Sequence, residues 1–259
     1  MSLKELFERR ARKEIPFFRR IVVETTGLAD PAPVVHALLA SEGARSKVHL
    51  NTIATVVDTS HGLKTLERHP EAVTQVALAD ILLLSKTDLV DEDTVAALEV
   101  HLRSINPRAG RKRSEFGRVS AELLFGRDAL DPRQKRLDLD QWLGAPEARH
   151  DHHAHHDAPV RTWTLVRDEP MSDDEFRRLC AMLENLGGED LLRVKGIVHV
   201  EPNRAMLVHA VQHAFHPPKR MKRMRHTDGT PQSTLVFITR GLEPDDLTYV
   251  ARGFRRLHL

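Results

Sequence analysis

Apolar and polar residues alternate along the first half of the chain in blocks that predict strands separated by helices. Continuous apolar runs such as Ile81–Leu84 are typical of strands that are buried on both faces of a parallel sheet. The pattern predicts an α/β fold in which helices cover both faces of a parallel sheet. Helices are expected at 3–13, 31–40, 60–78, 91–104 and 133–142, and strands at 19–24, 50–58, 80–85 and 116–120.

The pattern changes after a polar segment at residues 144–159, which contains prolines near both ends and has no apolar periodicity. We interpret this segment as a linker between two domains. Beyond it, Ser172 precedes Glu175 by three residues, the spacing of a capping box at a helix start. The order of elements predicts a small α+β domain with a mostly antiparallel sheet. Its strands are expected at 160–166, 191–200, 205–213 and 233–240, and its helices at 172–186 and from Glu243 to about Arg256.

Composition narrows the class of protein. The 259 residues have 41% hydrophobic content, which suffices for the cores of one large or two modest domains, and a formal net charge of +2. The single cysteine, Cys180, excludes an intramolecular disulfide and a Cys-x-x-Cys metal site. No apolar run approaches the ~18 residues of a membrane span, and the basic N-terminus lacks the apolar core of a signal peptide. We therefore expect a cytoplasmic protein that does not act at a membrane.

Basic residues are concentrated in two segments. Residues 106–136 contain nine Lys/Arg and four Asp/Glu, and Lys219–Arg225 contains five Lys/Arg and no acid. Such runs are most often solvated surface, although they also suit contacts with phosphate. Aromatic residues make up only 5% of the chain, so we do not expect a stacking surface for single-stranded nucleic acid.

One candidate motif follows a predicted strand at its carboxyl end, where parallel sheets bind their ligands. Ser85-Lys86-Thr87-Asp88 has the form of a guanine-reading loop. The Asp88 carboxylate can accept two adjacent N–H groups of guanine, and the alkyl stem of Lys86 can lie along the base. Ser85 stands where most GTPases have Asn, so one amide contact is missing. The alternative is a polar turn in which Asp88 caps the next helix.

A second candidate motif is Glu24-Thr-Thr-Gly27, which we expect at the end of a buried strand. Glu24 would lie near a Mg²⁺-bound or attacking water, and the Gly27 N–H could approach a γ-phosphate because glycine has no Cβ. The alternative is a tight turn before a helix that Asp30 and Pro31 begin. Asp58 ends another predicted strand and is expected to cap the helix that follows; the alternative is contact with a metal ion.

The phosphate-binding loop that accompanies such motifs is absent from these residues. The loop has the form G-x-x-x-x-G-K-[ST], and its backbone N–H groups and its Lys together neutralise the phosphates. None of the thirteen glycines is followed by Lys. On a scale of ~1.4 kcal/mol per tenfold, a deficit of several kcal/mol takes micromolar GTP binding to millimolar or weaker. We therefore expect no turnover by this chain alone.

A histidine-rich tract in the predicted linker is a candidate metal site. Imidazole and carboxylate groups suit Zn²⁺, Ni²⁺ or Co²⁺. The tract has no thiolates, so its affinity is expected to be modest and weakly selective; the alternative is a solvated linker. The candidate ligands are His150, His152, His153, His155 and His156, with Asp151 and Asp157 beside them.

The later histidines (His199, His209, His213 and His216) are expected in the core or at strand edges, and Cys180 is expected to be a buried structural thiol.

With these motifs in order, the chain resembles the CobW family of metal-associated GTPases over nearly its whole length. The resemblance is carried by Glu24–Pro31, Thr55–Asp58, Ser85–Asp88, the histidine-rich tract, Leu192–His199 and Val208–Pro218. It implies a partial nucleotide-binding domain at 1–143, the linker at 144–159 and a CobW C-terminal domain at 160–259. The Cys-x-Cys-Cys motif that usually binds the family's transferred ion is absent, as is the phosphate loop.

The activity that the resemblance implies is GTP hydrolysis, with Mg²⁺, coupled to delivery of zinc or cobalt to a client protein. It implies that Glu24 is catalytic and that the nucleotide is bound by Gly27, Ser85, Lys86 and Asp88. The histidine-rich tract is the metal site that it implies.

Three functional interpretations stay open. The first is an N-terminally truncated CobW-type metal chaperone without independent GTPase activity, which predicts an unpaired sheet edge and self-association. The second is a working GTPase whose phosphate-binding loop lies upstream of a misassigned start or on a separate chain. The third is a non-enzymatic module that binds a partner or nucleic acid through Lys219–Arg225 and residues 106–136.

Overall fold

The structure is a computed structural model. It describes residues 3–27, 29–40, 48, 50–125, 160–186, 188, 190–201, 204–221, 232–242, 250 and 256–258. Within these ranges a parallel sheet with helices is followed by an antiparallel sheet, so the predicted fold class is confirmed. None of the described helices is long and apolar enough to cross a membrane.

The N-terminal part is arranged around three parallel strands in the order β1-β2-β3. The apolar residues of the central strand are buried, as their continuous run predicts. Because the strands are parallel, their carboxyl ends meet at one edge of the sheet. The strands are β1 (Ala54–Asp58), β2 (Ile81–Ser85) and β3 (Gly110–Ser114). The described helices are α1 (Leu3–Ala11), α2 (Pro31–Ala40), α3 (Gly62–Arg68), α4 (Pro70–Leu78), α5 (Glu92–Ile105) and α6 (Ala121–Phe125).

The C-terminal part is an antiparallel sheet in the order β10-β4-β9-β5-β6-β7, with β8 also paired to β6. Its elements are β4 (Val160–Arg167), α7 (Asp173–Leu186), β5 (Leu191–Val200), β6 (Arg204–Val211), β7 (Ala214–Phe215), β8 (Lys219–Met221), β9 (Ser233–Arg240) and β10 (Arg256–His258). β5 is buried along its whole length. At its centre, a Cβ on Gly196 would lie 2.8 Å from Leu235 Cα and would also meet Thr234 O. Only glycine fits this close approach of two strands.

The helix α7 begins with the capping box that the sequence predicts. Ser172 N donates to Glu175 Oε2 at 2.8 Å, and Glu175 N donates to Ser172 Oγ at 3.3 Å. The bond from the Ser172 backbone is the main reason that the pKa of Glu175 is lowered. Cys180 on this helix is half-buried rather than fully buried, and its burial raises the pKa of the thiol to about 11. It is therefore protonated at neutral pH.

One apolar cluster spans the two parts of the molecule. It contains buried residues of α2, α4, β2 and α5 together with buried residues of the C-terminal sheet. The C-terminal members of the cluster are Val160, Leu192, Val211, Ala214 and Ile238. The helix α2 packs against β6 and β7, and α4 packs against β5. The two parts therefore share a core.

A buried ion triad lies in the same interface. The Asp80 carboxylate, 7% exposed, accepts from Arg193 Nη2 at 2.9 Å and from Lys195 Nζ at 2.7 Å, both on β5. Ile53 N also donates to Asp80 Oδ2 at 2.9 Å. Burial alone would raise the pKa of Asp80, but the charges of Arg193 and Lys195 outweigh it and hold the pKa well below its usual range. The start of β2 is therefore bound to the C-terminal sheet through a charged carboxylate.

The predicted strand at 19–24 is wrong. The segment has no regular secondary structure, and two of its apolar side chains are exposed, Val22 by 74% and Val23 by 49%. An apolar run becomes a strand only when a neighbouring strand supplies backbone partners. No described strand pairs with this segment, and among described strands β1 pairs with β2 alone.

Two further predicted elements differ from the structure. The strand expected at 116–120 is instead β3, earlier in the chain, and Phe116 and Gly117 form a turn with positive φ. The charged sequence Gly110-Arg-Lys-Arg-Ser forms a strand because its backbone pairs with that of buried β2. The helix expected at 60–78 is divided at Pro70, which has no N–H to continue it.

Two predicted helices fall wholly or largely on residues that the structure does not describe. The helix at 133–142 lies outside the described residues, as do residues 243–249 and 251–255 of the last predicted helix. That helix is expected to end near Arg256, and Arg256 itself begins β10, which pairs with β4.

Candidate functional site

The carboxyl ends of β1 and β2 lie side by side and bring two of the predicted residues together. Asp58 and Ser85 are partners in the register of the two strands. Ser85 Oγ donates to Val57 O at 3.2 Å, and Thr59 N donates to Ser85 O at 3.0 Å. Hydrogen bonds to β1 and to the residue after it thus fix both the hydroxyl and the backbone of Ser85, where the next loop begins.

Lys86 is held in an unusual conformation at the start of this loop. Its φ of 59° lies in the left-handed region, which costs a non-glycine residue about 1 kcal/mol. The Lys86 ammonium donates to Asp58 Oδ2 at 2.7 Å. The bond directs the side chain back across the carboxyl edge of the sheet towards β1.

Asp58 does not cap a helix, so that prediction is wrong. Its Oδ1 accepts from Ser60 N at 2.9 Å and from Ser60 Oγ at 2.6 Å, which closes a local turn, and α3 begins only at Gly62. Partial burial raises the pKa of Asp58, but the bonds from Lys86 and Ser60 outweigh it and lower the pKa to about 2. The carboxylate is therefore ionised at neutral pH and occupied by these neighbours.

Asp88 lies in a 3₁₀ turn at Thr87–Leu89 and is exposed. Asp88 does not cap the next helix, so that alternative is wrong. Asp91 is the cap of α5, and its Oδ1 accepts from Thr94 N at 2.8 Å. The side chain of Asp88 therefore faces solvent beyond the carboxyl edge of the sheet.

Glu24 and Gly27 lie in an exposed irregular segment rather than at the end of a strand. Ala29 N donates to Thr26 O at 3.0 Å and closes a turn around Gly27. Asp30 Oδ1 then accepts from Ala32 N at 2.9 Å, so the predicted start of a helix by Asp30 and Pro31 is confirmed. We refer to the described residues 24–27, 29 and 30 as the Gly27 turn.

The Gly27 turn is fixed to α4 by one side chain. Gln75 Nε2 donates to Gly27 O at 3.0 Å and to Ala29 O at 2.8 Å. The backbone carbonyl of Gln75 in turn accepts from Thr55 Oγ1 on β1 at 2.9 Å. The turn is thus tied through Gln75 to both a helix and the sheet.

The predicted metal ligands, His150, His152, His153, His155 and His156, lie outside the described residues. Among the residues that the structure does describe, no group of three or more His, Cys, Asp or Glu side chains is placed to hold a metal ion. The described part of the nucleotide region therefore offers isolated carboxylates rather than a complete ligand set.

Comparison with protein-family models identifies both parts of the chain. Residues 1–111 match the nucleotide-binding domain of the CobW/HypB/UreG family, and residues 160–251 match the cobalamin synthesis protein CobW C-terminal domain. The chain belongs to the CobW family. The candidate nucleotide residues lie inside the first of the two matches.

Relatives of this CobW family chain have been characterised in bacteria and yeast. It is 27% identical to the zinc chaperone YjiA of Escherichia coli over 241 residues, 92% of this chain and 72% of YjiA. It is 26% identical to the zinc chaperone CobW of Pseudomonas aeruginosa, over 79% of this chain and 56% of that protein. It is 30% identical to zinc-regulated GTPase metalloprotein activator 1 of Schizosaccharomyces pombe, over 48% of this chain and 28% of that protein.

A solved structure agrees with the CobW assignment. The crystal structure of Zn(II)-bound YjiA GTPase from E. coli superposes with a TM-score of 0.74 at 25% identity, covering 98% of this chain and 76% of YjiA. The likeness extends through both sheets, so the parallel sheet and the antiparallel sheet of this chain form a CobW-type pair.

The later histidines of this CobW chain lie largely as predicted. His199, His209 and His216 are buried, and His213 is exposed. The rings of His209 and His216 stack with centroids 5.0 Å apart and an interplanar angle of 6°. Burial, followed by the charges of Arg193, His216 and Lys195, holds the pKa of His209 well below its usual range. His209 is therefore a neutral core histidine.

Sequence reasoning missed Gln75 and Asp80, which fix the site to the rest of the CobW fold. Each has a signal in the sequence. Gln75 is a polar residue in the mostly apolar stretch Val73–Leu78, and Asp80 is an acid directly before four buried apolar residues. A polar or charged side chain in such a position requires a partner, because its burial without one is costly.

Proposed function

We propose that this chain takes part in GTP-dependent delivery of zinc or cobalt to a client protein. The supporting observation is that Ser85–Asp88, a guanine-reading sequence, follows the buried central strand and leaves Asp88 exposed beyond the sheet edge. The relatives named zinc chaperones support zinc as the cargo. We assign residues 1–143 to nucleotide binding, 144–159 to the metal-binding linker, and 160–259 to the C-terminal domain. We propose a cytoplasmic location.

In this proposal guanine is read by the loop after β2. The Asp88 carboxylate accepts two N–H groups of the base, which adenine does not offer as a pair. The alkyl stem of Lys86 lies along the base, and Ser85 fixes the start of the loop through its bond to Val57 O. With a phosphate-binding loop in place, the Gly27 N–H would approach the γ-phosphate and Glu24 would orient the attacking water.

We assign no hydrolytic step to these residues alone. Mg²⁺ would supply charge neutralisation for the phosphates, but Asp58, the carboxylate best placed on the sheet edge, already binds Lys86 and Ser60. The described residues include no three-ligand group to which the ion would bind. We propose that turnover requires a G-x-x-x-x-G-K-[ST] loop from outside residues 1–259, either upstream in a longer chain or on a separate one.

The cargo metal is assigned to the histidine-rich tract. His150, His152, His153, His155 and His156 supply imidazole ligands suited to Zn²⁺ or Co²⁺. The metal is a substrate that is passed on, so modest affinity favours release to a client that binds it more tightly.

The experiment is equilibrium binding of a fluorescent GTP analogue with Mg²⁺ to the whole chain. The proposal expects weak binding, on the order of millimolar, that Asp88→Ala abolishes and that excess ATP leaves unchanged. Asp93→Ala, which removes an exposed acid of α5, is the matched control and should bind like wild type. Binding that ATP displaces, or that survives Asp88→Ala, would contradict the role of the guanine loop.

Two further measurements test the source of the phosphate-binding loop and the assignment of the metal site. Reading the DNA upstream of Met1 for an in-frame G-x-x-x-x-G-K-[ST] locates the phosphate loop or excludes it there. Calorimetric titration with Zn²⁺ of wild type and of a variant with the five tract histidines changed to Ala tests the cargo site. Equal zinc affinity of the two proteins would refute the metal assignment.

A further inference from the structure

The contact between Gln75 and the Gly27 turn uses the full donor capacity of one side chain. Both partners of Gln75 are backbone carbonyls, at 3.0 Å and 2.8 Å, so its NH₂ group faces the turn. Gln75 and the helix α2, which follows the turn directly, are therefore two connections between the turn and the rest of the fold.

Both of these supports continue into the C-terminal sheet. The helix α2 begins directly after the turn, and its residues Ala32 and Val35 are buried in the shared cluster against β6 and β7. On α4, the neighbour of Gln75 is Thr74, whose hydroxyl accepts a hydrogen bond from Arg240 at the end of β9. Val76, on the other side of Gln75, belongs to the same cluster as Ile238.

We propose that Gln75 is a positioning residue that couples the Gly27 turn to the C-terminal sheet. A change in the turn alters the packing of α4 against β5 and β9, and a change in that sheet moves the turn, because coupling between two sites is reciprocal. The functional meaning of the coupling rests on the proposed role of the turn in nucleotide binding. The coupling itself is a property of the chain without any ligand and is tested without one.

The test is amide hydrogen exchange of the whole chain, followed on the Gly27 turn. Gln75→Met keeps the length of the side chain and removes both donors. Exchange at the Ala29 amide should become about tenfold faster, whereas the amides of β2 should exchange as in wild type. Gln75→Glu, which places a carboxylate against two carbonyls at neutral pH, should act in the same direction. Thr65→Val is the matched control: it removes a side-chain hydrogen bond to the His61 carbonyl, which involves neither Gln75 nor the turn, and should leave the turn unchanged.

A double-mutant cycle tests the coupling to the C-terminal sheet. Arg240→Met removes the bond to Thr74 and should accelerate exchange in the Gly27 turn. In the Gln75→Met background the same substitution should have no further effect on the turn. An equal effect in both backgrounds, or no effect in either, overturns the coupling through Gln75.

Equal acceleration of amide exchange in the turn and in β2 in Gln75→Met overturns the positioning role, because it indicates a general loss of stability. Failure to bind GTP would refute the proposed function and leave these exchange results intact.

Discussion

The Lys86 ammonium lies 2.7 Å from Oδ2 of Asp58, and this contact joins the Ser85–Asp88 loop after β2 to the end of β1. Lys86 reaches this carboxylate from a left-handed backbone conformation. The bond therefore stabilises a strained residue at the edge where we propose that nucleotide binds.

The first prediction concerns the charge of Asp58. Its pKa of about 2 is below the model-peptide value of 3.8, so the folded state favours the ionised form. The associated stability is present above pH 3.8 and is lost as the pH falls through about 2. In Lys86→Met the pKa should rise towards 3.8, and in Ser60→Ala it should rise less. Carbon NMR titration of the Asp58 carboxyl measures this, and an unchanged midpoint in Lys86→Met would contradict the pairing.

The second prediction concerns the buried triad. Asp80→Asn leaves Arg193 and Lys195 buried beside a neutral amide, so the free energy of unfolding should fall by ~3–5 kcal/mol. Asp93→Asn on the surface of α5 is the control and should change it by less than about 0.5 kcal/mol. Urea unfolding of the three proteins makes the comparison. Similar stabilities for Asp80→Asn and wild type would show that the triad contributes nothing to domain packing.

The third prediction compares two glycines. Gly196→Ala should destabilise the protein by about 3 kcal/mol or more, because the new Cβ meets the backbone of Thr234 and Leu235. Gly27→Ala meets nothing within 4 Å and should leave stability within about 0.5 kcal/mol of wild type. Thermal unfolding followed by circular dichroism distinguishes the two. If the two variants have the same melting temperature, the close approach of β5 and β9 does not require glycine at position 196.

The fourth prediction tests self-association through β1. Val56, 66% exposed, lies on a strand that pairs with one described neighbour only. Lysine on an edge strand opposes pairing with a second copy, so Val56→Lys should shift the chain towards monomer. Val100→Lys, at an exposed apolar position of α5, is the matched control, because a helix offers no unpaired backbone edge. Light scattering across a concentration series gives the mass of each, and equal association of Val56→Lys and wild type would exclude β1 as the interface.

Local sequence patterns identify the elements whose partners are near in the chain or whose apolar run is unambiguous. The run before Ser85 predicts the central strand, and Ser172 with Glu175 predicts the cap of α7 in atomic detail. Both depend on interactions within a few residues or on burial from all sides. The order of the motifs also suffices to identify the CobW family.

The errors arise where a distant partner decides the outcome. Val22 and Val23 have strand-forming side chains but no described strand beside them, whereas charged Gly110–Ser114 becomes β3 because β2 supplies its hydrogen bonds. The roles of Gln75 and Asp80 likewise depend on residues more than 40 positions away. No local pattern encodes such pairings, although an isolated polar residue in an apolar stretch indicates that a partner exists.

The shared core limits how far the sequences of the two parts can change independently of each other. Leu192, Val211 and Ile238 belong to the C-terminal sheet, yet they complete the apolar cluster of α2 and α4. Gene recombination that exchanged one half for that of a distant homologue would join faces shaped for different neighbours. Substitutions in α2 and in β6 are therefore expected to occur in compensating pairs, and we expect the two halves to be inherited as one unit.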